Sequence, residues 1–524
     1  MNRSIPGFLL YLAILLNLFA CTHPNDSGLT SEQQQALRRG NIEDPGTLDP
    51  ALAEDVHAFN VLLDLYEGLV AENARGDLVP GVAESWSISD NGLLYTFILR
   101  KTARWSNGKQ VVSSDFVHAL RRAAAHETLS AYSFLLQPIE DVVAVDKLTL
   151  TIRLAQPSPH FLGVLAMPIA FPIYGDGADA ARFQEPASFI GNGAYVLAAH
   201  EAGHPIRLRR NTHYWDAESV QIAEIEYVPV ADDVAELNMY RAGELDITGV
   251  IPSSHVEIVK RDLPDETRIA PTLAFYYFAF DLTEPPLDSR ELRQALSMAI
   301  DREQLVALLG RGEQAAYGIV PPGVVNHQGA RYAWQDMTAE DRHEKARAVF
   351  ESAGYGPGEP LQLKVTYDTG GIHERIALAV SSMWHEVLGI EVELEAKEWK
   401  YFLDTRENRE QWQVMRFSWF GDYNDAATFL DIFQSDSSQN LPHYSSAEYD
   451  EKTGLAAVEL NPESRAALMG EAEDILLNDY PIAPLYFYVS KHMVKPYVAG
   501  FDDNVLDRHP SKYLAIRPAD GDRD

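Results

Sequence analysis

Leu361-Gln362-Leu363-Lys364-Val365-Thr366-Tyr367, followed by Ile372 to Leu388 and then Ile390-Glu391-Val392-Glu393-Leu394-Glu395, is the stretch that decides the fold class. The first segment alternates apolar and polar side chains, as a half-buried strand does. In the second, Ile376, Leu378, Ala379, Met383 and Leu388 can share one apolar helical face. Gly389 follows, and glycine tolerates the left-handed geometry that ends a helix. The third segment sets carboxylates on one side and aliphatics on the other. Strand, helix, strand in this order is a βαβ unit, with parallel pairing as its default. Outward from it, Asp288 with Glu291 is expected to open a helix that runs to Leu309 and closes at Gly310. Thr338 is expected to open a helix from Ala339 to Ala353, closed by Gly354. Leu94-Tyr95-Thr96-Phe97-Ile98-Leu99 and Thr149-Leu150-Thr151-Ile152-Arg153-Leu154 read as strands. Ser113 or Ser114 is expected to cap a helix from Asp115 to Ala125. Strands and helices alternate without a repeat of solenoid or propeller length. The class is α/β in at least two lobes, and 524 residues leave room for about three domains.

The chain carries 77 acidic against 43 basic residues, a formal charge of −34, which argues against nucleic acid as a partner. Its hydrophobic share of 46% excludes disorder as the dominant state. Cys21 is the single cysteine, so an internal disulfide and any cysteine-based metal site are excluded. Arg3 precedes the apolar run Phe8 to Ala20, which as helix spans about 20 Å and is too short for a bilayer core of about 30 Å. A short positive end, an apolar stretch and a small residue before a cleavage point describe a signal peptide over residues 1–20. Residues 22–39 are polar and read as a tether. No catalytic spacing is present: GxSxG, GxxxxGK[ST] and HExxH are all missing, and Gly191-Asn192-Gly193 does not extend to GxGxxG. No histidine pair at helical spacing has a supporting carboxylate, so neither a metal nor another cofactor is expected.

Several segments in shared order over about 45–515 resemble the peptide-binding solute receptors of ABC importers, the extracellular solute-binding proteins of family 5. They are Thr47-Leu48-Asp49-Pro50, Tyr66-Glu67-Gly68-Leu69-Val70, Val79-Pro80-Gly81-Val82-Ala83-Glu84-Ser85-Trp86, Arg104-Trp105-Ser106-Asn107-Gly108, Asp115-Phe116-Val117, Gly191-Asn192-Gly193-Ala194-Tyr195, Gly243-Glu244-Leu245-Asp246 and Leu292 to Asp301. Leu18-Phe19-Ala20-Cys21 resembles a bacterial lipobox, although Phe19 is bulkier than that pattern favours. The resemblance implies lipidation at Cys21, with Thr22 lacking the usual signal for inner-membrane retention. It further implies a two-lobed, three-domain periplasmic binding protein-like fold of type II. Domain I would comprise 45–66, 191–282 and 488–524, and domain II, inserted in the same lobe, 67–190. Domain III, the second lobe, would comprise 283–487, and residues 21–44 would be the lipidated tether. The chain would cross a hinge near Phe280 and near Tyr488. Most shared motifs are expected to be structural, with Trp86 and Trp105 filling core.

The resemblance also nominates ligand contacts. Trp419-Phe420-Gly421-Asp422-Tyr423-Asn424 is similar to the segment whose aspartate meets the α-amine of a peptide, which maps to Asp422, with Trp419 beside it. Arg416 and His373 align with residues that meet the carboxylate of shorter peptides. Histidine help would then grow as the medium acidifies. Glu54, Val56, Tyr132 and Tyr486 fall where the family touches ligand. Phe420 stands where a close relative has a disulfide partner. The expected function is a monomeric, non-catalytic receptor that captures oligopeptides and delivers them to a membrane permease, held at the periplasmic membrane by its lipid. A receptor for cell-wall (murein) peptide, whose known form lacks the arginine at Arg416, and a sensor without transport are the alternatives. Nickel-complex, dipeptide and haem receptors share the fold but fit 416–424 less well. A peptidase would need a nucleophile or metal motif that is missing.

Overall fold

The computed structural model describes residues 36–175, 183–356, 360–369, 371–407 and 412–517. The expected signal peptide, Cys21 and the tether up to residue 35 lie outside them. Strands Gln362–Asp368 and Glu391–Lys397 pair in parallel, Leu363 beside Val392 and Val365 beside Leu394. The helix Gly371–Leu388 between them buries Ile376, Ala377, Val380, Met383 and Trp384. Leu378, expected on that face, turns outward and is 52% exposed. Gly389 ends the helix at φ +71°, where a side chain would be strained.

This unit forms one flank of a six-stranded sheet. Its strand order is Gln314–Ala315, Ile482–Met493, Thr267–Phe280, Val414–Phe420, Gln362–Asp368, Glu391–Lys397. The two long strands Thr267–Phe280 and Ile482–Met493 run antiparallel through its centre. Their Phe275–Phe280 and Ile482–Phe487 ends lie in a core with Leu296, Trp384 and Phe433. Their other ends enter a different body, where Met493 packs with Leu237 and Tyr240 and Ile247 bridges Val494. They therefore carry the chain between two lobes. The ladder shifts register between Pro271 and Phe275, opposite 487–489, where proline supplies no N–H to the ladder. Tyr488 falls opposite this break. Phe280 does not lie at the crossing: it is fully buried in the second lobe beside Val414.

The first lobe holds two four-stranded sheets. One orders Ala36–Gly40, Glu224–Val228, Ile206–Arg210, Tyr195–Ala199, and the other Ala83–Ile88, Leu94–Leu99, Thr149–Leu154, Ile139–Ala144. The strands expected at 94–99 and 149–154 are both present. Ala36–Gly40 corrects the tether, which ends before it: Leu37 is fully buried, and the strand pairs in parallel with a partner far along the chain. Two helix starts also differ. The helix expected at 115–125 is Ser113–Ala124. Neither serine caps it; the Asp115 carboxylate accepts the Val112 N–H at 2.9 Å and the Trp105 indole N–H at 3.1 Å. Ser113 is buried and its hydroxyl donates to the Asp146 carbonyl instead. The helix expected from Asp288 to Leu309 is two, Arg290–Ala299 capped by Ser289 and Arg302–Leu309 capped by Asp301, with Ile300 extended between them.

Several of the motifs that carry the resemblance are structural. Asn192 exchanges hydrogen bonds with the backbone of Glu67, at 3.2 and 2.8 Å. The Glu67 carboxylate accepts from Tyr214, Trp215 and Lys512 in the interior. Trp105 is 1% exposed, and Trp86 packs partly buried on the same core. Lys512→Met would strand the buried Glu67 charge, and breaking such a pair costs about 3–5 kcal/mol. A melting temperature lowered by several degrees in Lys512→Met, with most of the loss recovered in Lys512→Met/Glu67→Gln, is the expected result.

Candidate functional site

The strand Val414–Phe420 belongs to the second lobe and ends at Gly421, whose N–H donates to the Leu273 carbonyl at 2.7 Å. A side chain on Gly421 would strike Thr428 and Phe429, at 2.9 and 3.0 Å, so this sharp exit needs glycine. It delivers Asp422, whose N–H donates to Thr428 Oγ1 at 3.3 Å, to the seam between the lobes. The next residue, Tyr423, is buried in the core of the first lobe and stacks on His160 with centroids 4.4 Å apart. Burial pushes the Asp422 carboxyl up to about 6, and Arg508 pulls it back only partly. Among the described residues no cation pairs with this carboxylate.

Across the seam, Tyr132 feels the same field. Burial raises its phenol, and the charges of Asp422, Glu54 and Asp55 raise it further while Arg508 opposes them. Tyr132 packs on Phe59, 5.9 Å away, in the helix Val56–Leu65. Val56 opens that helix and is 54% exposed, with Asp55 as its cap. The structure thus brings Asp422, Tyr132 and Glu54 into one electrostatic neighbourhood, with Val56 beside it. It adds Arg508, which sequence reading missed. Arg508 is held by Glu72, with Nη1 at 2.8 Å from Oε1, and no motif marks it because its neighbours come from distant parts of the chain.

A second group gathers along the other end of the same strand. Arg416, Ser418 and Phe420 share a face with Tyr276, and His373 stacks on Tyr276 with Oη 3.2 Å from Nδ1. Tyr486 and Tyr488 complete this face. The strand pairs with Gln362–Asp368 only through Val414 and Met415, and the ladder with that neighbour stops there.

Four expected contacts need revision in detail. Arg416 is buried and engaged by the Asp368 carboxylate, so its charge is already answered within the protein. Its guanidinium also lies 5.0 Å from the Phe402 ring centroid. His373 is not a cation near neutral pH, because burial first, and Arg311 second, push it down to about 4. Tyr486 is 1% exposed and packs between Tyr276 and Tyr488, which is the environment of a core tyrosine. Trp419 sits on the opposite face of the strand from Arg416, paired with Phe275, and its indole nitrogen is buried without a partner. Asp368 and Arg311 were not foreseen. The first closes a strand that had looked purely structural, and the second lies in a short link after Gly310.

Among the described residues no helix is long and apolar enough to cross a membrane. The family model for bacterial extracellular solute-binding proteins, family 5, matches residues 77–440. The chain is 35% identical to the periplasmic murein peptide-binding protein of Escherichia coli, over 91% of this chain and 92% of that one. It is 33% identical to the periplasmic oligopeptide-binding protein of the same organism, over 95% and 96%. Among solved structures it resembles the unliganded open form of a murein tripeptide-binding protein, with a TM-score of 0.86 at 34% identity, covering 92% of this chain and 98% of that one. A second structure, of the Escherichia coli murein tripeptide-binding protein, scores 0.74 at the same identity. Haemophilus influenzae OppA in complex with RPPGFSPFR scores 0.72 at 31% identity, covering 93% of this chain and 99% of that one. The fold is the two-lobed α/β fold of these receptors, and the chain belongs to the bacterial extracellular solute-binding proteins, family 5.

Proposed function

We propose that this chain is the oligopeptide receptor of an ABC importer, which binds peptide between its lobes and passes it unaltered to the membrane permease. The observation that carries this reading is the Asp422 carboxylate: desolvated at the seam, without a paired cation, and facing the Tyr132 wall of the other lobe. Such a charge is costly until a cation meets it, and the α-ammonium is the cation that every unblocked peptide owns. The ligand backbone runs extended beside Val414–Phe420, where the strand's ladder with its neighbour stops. Asp422 lies six positions along the chain from Arg416, so at about 3.3 Å per step the groove spans ~20 Å at most. That suits short oligopeptides. Glu54, Val56 and Tyr132 line the amine end, while Trp419 and Tyr486 brace the strand from either face.

Incubation with tri- to pentapeptides is the test. The peptides should return intact by mass spectrometry while the melting temperature rises with their concentration, by mass action. Cleavage fragments that scale with protein, or no stabilisation by any peptide, would refute the receptor reading. We further propose that Cys21 carries the lipid that holds the monomeric receptor at the periplasmic membrane. Palmitate labelling of wild type, abolished in Cys21→Ala, is the expected result, and one acyl chain alone would bind only marginally.

A further inference from the structure

Beneath the first-lobe end of the strand Ile482–Met493, three side chains that the peptide reading does not use converge in a cavity that Val56 also lines. His492 Nε2 and His509 Nε2 point at the same oxygen, Asp507 Oδ1, from 2.8 and 3.2 Å. All three ligand-type atoms lie within 4.8 Å of one another. His492 Nδ1 sits 2.9 Å from the Thr248 carbonyl, which can only accept, so this nitrogen carries the proton and Nε2 is the one aimed inward. A carbonyl that holds the far nitrogen of an imidazole in this way orients the ring for metal binding. His509 is fixed by stacking on Phe501, with centroids 3.8 Å apart. Asp507 is held at φ +53°, a conformation that costs a non-glycine residue energy and is kept only where the surroundings impose it. The three residues line a cavity of about 220 Å³, shared with Asn41, Asn60 and Lys491. It is large enough to admit several waters.

We propose that His492, Asp507 and His509 form a binding site for a divalent cation of the zinc class. Two imidazoles and one carboxylate, with solvent in the open position, are a donor set that suits zinc. Ligand atoms at about 2.0–2.1 Å from such an ion stand roughly 3.4 Å apart, so the His492–Asp507 and His509–Asp507 contacts, at 2.8 and 3.2 Å, open slightly as an ion enters between them. Without metal, Asp507 Oδ1 can accept a hydrogen bond from each ring. An ion needs the lone pair of each Nε2, so any proton held there leaves to solvent or moves to the ring's other nitrogen. Arg39 opposes positive charge here, while Asp507 and Glu236 favour it. The ion would pin the segment around Asp507 to the long strand. That segment also holds Leu273 through the Val505 carbonyl, 3.0 Å from its N–H, and carries Arg508 toward Asp422. Sequence spacing hides the set, since His492 lies far from the other two along the chain.

The test uses the full chain, freed of metal by chelator and titrated with Zn²⁺ alone and Co²⁺ alone. One Zn²⁺ per chain and a raised melting temperature are expected. The Co²⁺ spectrum should show the intense visible bands of four- or five-coordination without a thiolate charge-transfer band, which separates this site from Cys21. His492→Gln and His509→Gln should each weaken Zn²⁺ binding about tenfold or more. Absence of a stoichiometric site in wild type, a thiolate band, or full Zn²⁺ affinity in the double variant would overturn the proposal. The wild-type stoichiometry and spectrum decide it even if a variant fails to fold.

Discussion

N-acetylation of a tripeptide is expected to weaken its binding by about 2–5 kcal/mol, the cost of removing one partner from a desolvated charge pair. Asp422 is already lifted out of water in the ligand-free protein, so its carboxylate gains an ammonium without paying much further desolvation. Acetylation removes the ammonium and leaves the buried charge unanswered. Asp422→Asn should lose a similar amount for free peptides and hardly distinguish free from acetylated ones. Calorimetry on the four combinations forms a double-mutant cycle. A coupling near zero would assign the amine to another group, with Glu54 across the seam as the next acid to test.

The same carboxylate sets a pH dependence with a definite sign. Its ligand-free value, about 6, lies above the ordinary range because burial disfavours the charged form. An ammonium favours the charged form, so the value falls when peptide binds. Affinity is then full above pH 6 and declines toward a tenfold loss per unit below it, until the bound-state value is reached. The effect on ligand-free stability runs the other way. A carboxyl raised on folding destabilises the fold above its folded value, and that cost is relieved as the pH drops through 6. Binding isotherms and melts between pH 5 and 8 should therefore shift in opposite directions, and a flat affinity profile would count against Asp422 as the amine partner.

What could be read from the chain was what is local. The βαβ unit at 361–395 declares itself because alternation, helical period and a terminating glycine all lie within one window. Strands 94–99 and 149–154 do so for the same reason. Ala36–Gly40 could not be read, since its polar residues become a strand only through a partner near residue 225. The break at Ile300 was hidden because Asp301 reads equally as helix interior or as cap. At the site, Asp422 and Arg416 were found by resemblance, whereas Asp368, Arg311 and Arg508 were not. These three act through space on the nominated residues, and neither spacing nor period records which distant side chain faces a buried charge.

Asp368 matters most where the ligand's carboxylate must land. Arg416 is permanently charged and buried, and in the ligand-free protein Asp368 is its counter-charge while Nε keeps no hydrogen-bond partner. A peptide carboxylate can reach the guanidinium only by sharing or displacing that partner. Arg416→Ala is expected to weaken one peptide length by ~2 kcal/mol or more and its neighbours by less, because the carboxylate advances about 3.3–3.5 Å per added residue from the fixed amine. Asp368→Asn should strengthen the same length, since the amide still accepts a hydrogen bond but no longer competes as an anion. Asp368→Ala should instead cost about 3–5 kcal/mol of stability, by stranding the arginine. His373 brings no rescue near neutral pH. Its value of about 4 lies below that of a free imidazole, so the ring is neutral where peptides are bound, and fold stability falls as the pH drops from 6.5 toward 4. His373→Ala should therefore show no gain in ligand effect between pH 8 and 6. Calorimetry over di- to hexapeptides, for wild type, Arg416→Ala and Asp368→Asn, gives the decisive profiles. A uniform loss with Arg416→Ala and no change with Asp368→Asn would make the pair a structural clamp and place the carboxylate elsewhere in the groove, with Arg311, whose charge reaches His373, as the next cation to test.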